Sequence, residues 1–291
     1  MTFSSGIGIV IAALGQSNRV CEVSLWDLAD WQLEEVLASV QMPFPELAYL
    51  WLTSCGGETM PVIPDSFLDR SAPRLQFIEL SGIPFPRLPK LLLSATHLLV
   101  LRIINIPHSG YISPEAIVAL ICALSSLEDL SLGFQSPQSR PDHETRRPPP
   151  SKRFVIPALI FLRFKGVIEY LEDLVTGIDA PRLDRLDITF FNQIDFDTPL
   201  LTQFINRTPK LRKRDRDAHV QFHDNFARVG LLPGFRTLEI AVSCIEPDWQ
   251  LSSIEQVCNS SLNPPSTVED LYIELYYSKL VWKNDAIENT I

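Results

Sequence analysis

One phrase recurs along this chain: an aliphatic residue, two others, a second aliphatic, one other and a third aliphatic. It reads Leu47…Leu50…Leu52, Leu75…Ile78…Leu80, Leu98…Leu101…Ile103 and Leu127…Leu130…Leu132. It continues as Leu159…Leu162…Phe164, Leu183…Leu186…Ile188 and Val268…Leu271…Ile273. The first positions of the unbroken run lie 28, 23, 29, 32 and 24 residues apart. Self-similarity at roughly 20–30 residues marks units that stack and share one core. Positions 4 and 6 of the phrase alternate, so they face one side of a strand. A strand that returns to a parallel neighbour through a turn and a helix builds one parallel sheet.

The stretches between phrases supply the returns. Asp30 to Val40 places Trp31, Leu33, Val36, Leu37 and Val40 on one helix face, with Asp30 as cap. Ser113-Pro114-Glu115 opens a second helix with a capping serine and a proline at its first position. Further helices are expected over 167–176, 199–205 and 249–258, and an apolar helix over 7–14 caps the array. The type of the run 88–95 stays open. Less regular strands are expected at Val20…Val23…Leu25, at Val220 and Phe222, and at Phe235…Leu238…Ile240. About ten strands in a single unit over 1–291 result. The stretch 135–152, QSPQSRPDHETRRPPPSK, contains no aliphatic residue and is expected to be a disordered insertion. Ser136-Pro137 within it reads as a solvated loop or as a proline-directed phosphorylation site.

Composition narrows the function. The chain has 291 residues, is 46% hydrophobic and carries a net charge of -10. That charge excludes phosphate backbones as the main partner, so no nucleic acid is expected. The longest clean apolar run, Ile7 to Leu14, falls short of the roughly 20 residues that span a bilayer. No Lys or Arg precedes it, which argues against a secretion signal. Five cysteines with no paired spacing suit a reduced setting, cytoplasmic or nuclear, and the two Asn-x-Ser/Thr sequons are then chance matches.

The recurring phrase resembles that of leucine-rich repeats. The expected fold is therefore an α/β leucine-rich-repeat-like solenoid, with a curved parallel sheet on the concave side and helices or irregular returns on the convex side. The segments RVCEVSLWDL, PFPELAYLWL, APRLQFIELSGIPFPRLPKLLLSATHLLVLRI and SPEAIVALICALSSLEDLSLGF resemble the repeat region of fungal F-box proteins. That resemblance implies repeats that hold a substrate for a cullin ubiquitin ligase. It implies an adaptor as partner only where an F-box precedes the repeats. About nineteen residues precede the first strand here, and Arg87-Leu88-Pro89-Lys90 lies inside the third unit, so no residue is assigned to adaptor docking. Position 9 of such repeats usually holds Asn or Cys. Only Cys55 obeys, Asn105 falls one place early, and Val167 stands at that position in the sixth unit.

No constellation for catalysis stands out. Gly6-Ile7-Gly8 lacks a third glycine and a preceding strand, and no Gly-x-Ser-x-Gly elbow occurs. His219 and His223 would share the exposed side of a strand without a third metal ligand. The cysteines are expected to be buried and structural. Glu34-Glu35, Glu128-Asp129 and Glu172-Asp173 are expected on solvated faces. The basic run Arg207, Lys210, Arg212, Lys213, Arg214 and Arg216 reads as a solvated connection, with nuclear import or an anion site as alternatives. No enzyme activity, cofactor or metal is expected.

Positions 3, 5 and 7 of each unit point away from the core. On the early strands they include Trp26, Tyr49, Trp51 and Phe77, and on the middle strands Arg102, Arg163, Lys165 and Arg185. Exposed aromatics with arginine are the usual composition of binding hot spots. The expected function is a monomeric protein-interaction module whose partner presents an acidic surface and an apolar anchor. The alternative is a free-standing or relic repeat protein without a ligase link.

Overall fold

The alternation in Tyr49-Leu50-Trp51-Leu52-Thr53 sets the pattern of the whole sheet: Leu50 and Leu52 are buried, and the residues between them are half-buried. The protein is described by a computed structural model covering residues 4–54, 56, 61–64, 66–84, 91–137, 153–193, 196–212, 217–232, 238–261 and 269–276. Cys55, Arg87 to Lys90, Phe235, Val268 and residues 138–152 of the expected insertion lie outside the described residues.

Thirteen strands are described: β1 (Glu22–Leu25), β2 (Tyr49–Thr53), β3 (Phe77–Ser81), β4 (Val100–Ile106), β5 (Asp129–Phe134), β6 (Phe154–Val155), β7 (Phe161–Gly166), β8 (Ile178–Asp179), β9 (Arg185–Phe191), β10 (Asp217–His223), β11 (Phe226–Leu232), β12 (Leu238–Ser243) and β13 (Asp270–Tyr276). Eleven form one sheet in the order β1-β2-β3-β4-β5-β7-β9-β12-β11-β10-β13, and β6 pairs with β8. The helices are α1 (Ser4–Leu14), α2 (Asp30–Ser39), α3 (Pro114–Cys122), α4 (Ile168–Gly177), α5 (Pro199–Arg207), α6 (Pro209–Arg212) and α7 (Pro247–Ser261). The result is a mixed α/β architecture around one large, mostly parallel sheet.

The register aligns equal positions of successive phrases. Leu52, Leu80, Ile103, Leu132, Phe164, Ile188, Ile240 and Val229 form one ladder across eight strands. None is more than 3% exposed. Each such side chain contributes roughly 1.5–3 kcal/mol by leaving water. The backbone repeats as well. The Cys21 carbonyl accepts the N–H groups of Ala48 and Tyr49, Ala48 accepts those of Gln76 and Phe77, and Gln76 accepts those of Leu99 and Val100. Three residues ahead of each first leucine stands a further buried apolar residue, as in Phe44, Ala72, Ala95, Leu124 and Ala180. Its carbonyl accepts the N–H of that leucine and closes a turn.

The structure departs from the expectations in several places. The sheet is not wholly parallel. β11 is antiparallel to both β10 and β12, because Asp224-Asn225 turns the chain straight back into a second alternating run. The phrase fails in β13, where Leu271 and Ile273 are 58% and 62% exposed. That strand pairs only with β10, and no described helix covers it. Trp31 does not share the buried face of α2; it is 58% exposed, since it stands about 200° from Leu33 around the helix. Asp30 is not the cap: Ala29 holds that place, and its N–H donates to Gln32 Oε1 at 3.0 Å. The buried Asp30 carboxylate instead accepts from Ser54 Oγ at 2.7 Å.

Other local readings match. Ser113 Oγ accepts the Ala116 N–H at 3.2 Å and caps α3 behind Pro114. Asn105 adopts a positive φ of 52° at a register shift between β4 and β5, a conformation asparagine tolerates. Its Nδ2 donates to Ser81 Oγ at 3.0 Å, so the early asparagine still ties its strand to the preceding one.

Candidate functional site

The strands present positions 3 and 5 of neighbouring phrases side by side on the face opposite the core. One row runs Glu22, Tyr49, Phe77, Val100, Asp129, Phe161, Arg185. The next runs Ser24, Trp51, Glu79, Arg102, Ser131, Arg163, Asp187, Glu239. Among the described residues, the helices that touch the large sheet include α4 at β7 and α7 at β11 and β12, and the face with these two rows carries half-exposed side chains such as Arg163 and Arg185. We call it the open face.

At its first end, the Tyr49 ring stacks on Phe77 with centroids 4.2 Å apart and planes 6° from parallel. Adjacent parallel strands hold these rings at the same height, and both remain half-buried. Arg102 lies over the other aromatic neighbour, with its guanidinium carbon 5.6 Å from the Phe77 centroid. Trp51 sits one row away between Ser24 and Glu79, and its buried indole N–H has no hydrogen-bond partner among the described residues. Trp26 lies one residue beyond β1, is 60% exposed and makes no described ring contact with the other three. The structure therefore brings Tyr49, Phe77 and Trp51 to adjacent strands and leaves Trp26 at the margin.

The four basic residues do not form one uniform zone. Arg102 Nη2 donates to Asp129 at 2.7 Å, and its Nη1 approaches Glu79 at 3.5 Å. Burial lowers the Arg102 pKa, but the pull of Asp129 and Glu79 outweighs it and the net shift is upward. Arg163 and Arg185 belong to a second cluster. Both reach Asp187, Arg163 through Nη2 at 3.3 Å and Arg185 through Nε and Nη2 at 3.1 and 3.0 Å. The hydrogen bond to Asp187 raises the Arg185 pKa, against the lowering effect of burial. Both lie over the Phe161 ring, with their guanidinium carbons 5.0 and 4.9 Å from its centroid. Lys165 stands next along β7, its ammonium 5.7 Å from the Phe191 ring, with no ion pair among the described residues.

Exposure separates the two signs of charge. The side chains of Arg163 and Arg185 are 51% and 49% exposed, whereas Asp187 beneath them is 14% exposed. A stacked, ion-paired guanidinium is held in orientation, so its unused donors are preorganised toward solvent. Phe161, which makes this geometry possible, stood in the outward register of the sixth unit and was not singled out from sequence.

Elsewhere the chemistry is structural. His219 and His223 lie on one side of β10 and stack on Tyr272 and Tyr276 at 4.6 and 4.8 Å. Among the described residues no group of three His, Cys, Asp or Glu side chains converges on a metal position. A groove at the strand starts is lined by Cys21, Glu46, Ala48, Arg74, Gln76 and His97. Cys21 precedes β1 and His97 precedes β4, so about three strand spacings, roughly 14 Å, separate thiol and imidazole. A nucleophile and its base need to lie within about 3 Å.

Three expectations about charged and sulfur groups are corrected. Cys21 is exposed, because it sits at the uncovered edge strand, and Cys122 and Cys258 are half-buried; Cys244 is buried. Glu172 is 1% exposed, since α5 packs over it, and Asp129 is drawn into the Arg102 ion pair. Arg207 is not a solvated member of a basic run. It donates to Asp179 at 2.7 Å and to the Val175 and Ile178 carbonyls at 2.5 and 2.8 Å. Burial and the nearby Arg153 lower its pKa. Lys210 pairs with Asp184, and residues 213–216 lie outside the described residues.

No helix of the described residues is long and apolar enough to cross a membrane. Compared with known proteins, the chain matches no family model and no curated protein.

Proposed function

We propose that this chain is a non-catalytic protein-interaction module and that its open sheet face holds a segment of a partner protein. The observation that carries this reading is the Phe161 cluster, where Arg163 and Arg185 lie over one ring and share one sunken carboxylate. The Tyr49–Phe77 stack supports it from a few strands away. Aromatic and arginine groups held rigid before binding lose little entropy when a partner arrives, which is what hot spots require.

The resemblance to F-box repeat proteins extends the proposal. The module acts as substrate receptor of a cullin ligase where an F-box accompanies it, and as a free-standing binder, cytoplasmic or nuclear, where none does. Affinity purification of the tagged protein from its own cells tests both levels. Recovery of a cullin adaptor supports the receptor reading, and its absence the free-standing one. Phe77→Ala with Phe161→Ala is expected to abolish capture of the enriched protein while the thermal melt stays cooperative. Undiminished capture by that folded variant contradicts the open-face reading.

A further inference from the structure

We infer that the open face reads a peptide segment in two parts: an apolar anchor over Tyr49, Phe77 and Val100, and a carboxylate-bearing end over Arg163, Lys165 and Arg185. The inference rests on the open-face reading above and gives that partner its chemistry.

The charge pattern across the strands supports this division. On β3 to β5, two acids, Glu79 and Asp129, bracket one cation, Arg102. This band carries a net negative charge. On β7 and β9, two arginines share one acid, and Lys165 adds a cation without an ion-pair partner among the described residues. This band carries a net charge of about +2, on a protein whose total is -10. Further along, Arg228 and Glu239 pair at 2.9 Å and cancel. The sheet therefore holds one surplus of positive charge, bounded on one side by a deficit and on the other by a neutral pair.

A carboxylate is the fitting anion. The two guanidiniums already hold one in Asp187, so their spacing suits that group. Asp187 is only 14% exposed, which leaves the outer donors of both arginines to a second carboxylate arriving from solvent. Over β3 to β5 the same partner must avoid acids, because Glu79 and Asp129 repel them. The apolar surface in this region is the Tyr49–Phe77 stack continued by half-buried Val100.

Distance fixes the spacing within the partner. Three strand steps separate Phe77 on β3 from Phe161 on β7, about 14 Å at the usual spacing. An extended segment covers that with about four residues and a helix with about nine. The motif is an apolar residue, a neutral or basic spacer of that length, and one or two Asp or Glu residues.

The test is a selection of random twelve-residue peptides displayed on phage against the full chain. The best peptide is then measured by fluorescence anisotropy. The expected peptides combine an apolar residue with acids beyond such a spacer. Arg163→Glu with Arg185→Glu is expected to weaken binding at least tenfold, and Tyr49→Ala with Phe77→Ala at least tenfold. Poly-glutamate is expected to bind at least tenfold more weakly than the selected peptide. Should the charge-reversed variant fail to melt cooperatively, Arg163→Gln with Arg185→Gln decides, with an expected loss of three- to tenfold. Selected peptides that lack acids, or that lose affinity only with the aromatic variant, overturn the two-part inference while the open-face reading stands. Affinity unchanged by every open-face substitution overturns both. No enrichment over a protein of matched negative charge, or poly-glutamate binding equally well, also overturns the inference.

Discussion

The carboxylate of Glu172 accepts the backbone N–H of Leu201 at 2.6 Å and that of Leu200 at 3.0 Å, across 28 to 29 residues of chain. Leu200 and Leu201 occupy the first turn of α5, where N–H groups have no partner within the helix. Thr198 precedes that helix without a side-chain cap, and Pro199 has no N–H to satisfy. A buried acid of α4 therefore caps its neighbour. Arg207 at the far end of α5 returns the contact by bonding the Val175 and Ile178 carbonyls at the end of α4. α5 is thus tied to α4 at both of its own ends.

Removing the acid leaves two donors buried without partners. Glu172→Ala is expected to lower stability by about 2–3 kcal/mol. Glu172→Gln keeps one acceptor oxygen and is expected to cost about 1 kcal/mol. Urea unfolding measures both, and an Ala variant within about 0.5 kcal/mol of wild type would show that the cap contributes nothing.

The core ladder and the last strand are expected to respond in opposite ways. Leu101 is fully buried between β3 and β5. Leu101→Asp buries an unpaired charge, costing several kcal/mol, comparable to a domain's whole stability. Leu271 holds the corresponding phrase position in β13 but is 58% exposed. Leu271→Asp is therefore expected to shift stability by no more than about 0.5 kcal/mol. Equal damage from both substitutions in a thermal melt would mean that β13 has a covering layer.

Most of the sheet was legible because its signal is local. The phrase positions from Leu47 to Ile188 fall where period-two alternation places them, and the ladder follows once equal positions are paired. Trp31 was misplaced by counting it into a stripe it cannot join at 3.6 residues per turn. The pairing of the arginines was also present in the sequence. Glu79, Arg102, Ser131, Arg163 and Asp187 all hold position 5, and equal positions in parallel neighbours lie side by side. Asp187 lies beside Arg163 in that row, and Phe161 lies beside Arg185 in the neighbouring row of position 3. By contrast, the Glu172 cap and the Arg207 clasp depend on how α4 and α5 pack, which no periodicity within either helix encodes. The antiparallel β11 left a readable trace in the alternation Ala227-Val229-Leu231 after Asp224-Asn225.

Thiol reactivity offers a separate check on α7. Burial pushes the Cys258 pKa up to about 11. At pH 8 roughly 0.1% of it is thiolate, against about a quarter of an ordinary thiol near 8.5, a roughly two-hundredfold deficit. Cys21 is exposed at the first strand. Iodoacetamide followed by peptide mass spectrometry is expected to label Cys21 first and Cys258 far more slowly. Labelling of Cys258 at the pace of Cys21 would mean that α7 opens readily.

On the proposed function, a partner protein covers the open face of the sheet. Hydroxyl-radical footprinting of the protein with and without its co-purified partner tests it most directly. Trp31 and Trp249, 58% and 49% exposed on helices α2 and α7, serve as internal controls. Tyr49, Trp51, Phe77 and Phe161 are expected to lose reactivity on binding while the two control tryptophans keep theirs. Protection of Trp31 or Trp249 with the four open-face rings unchanged would contradict it and place the partner on the helices instead.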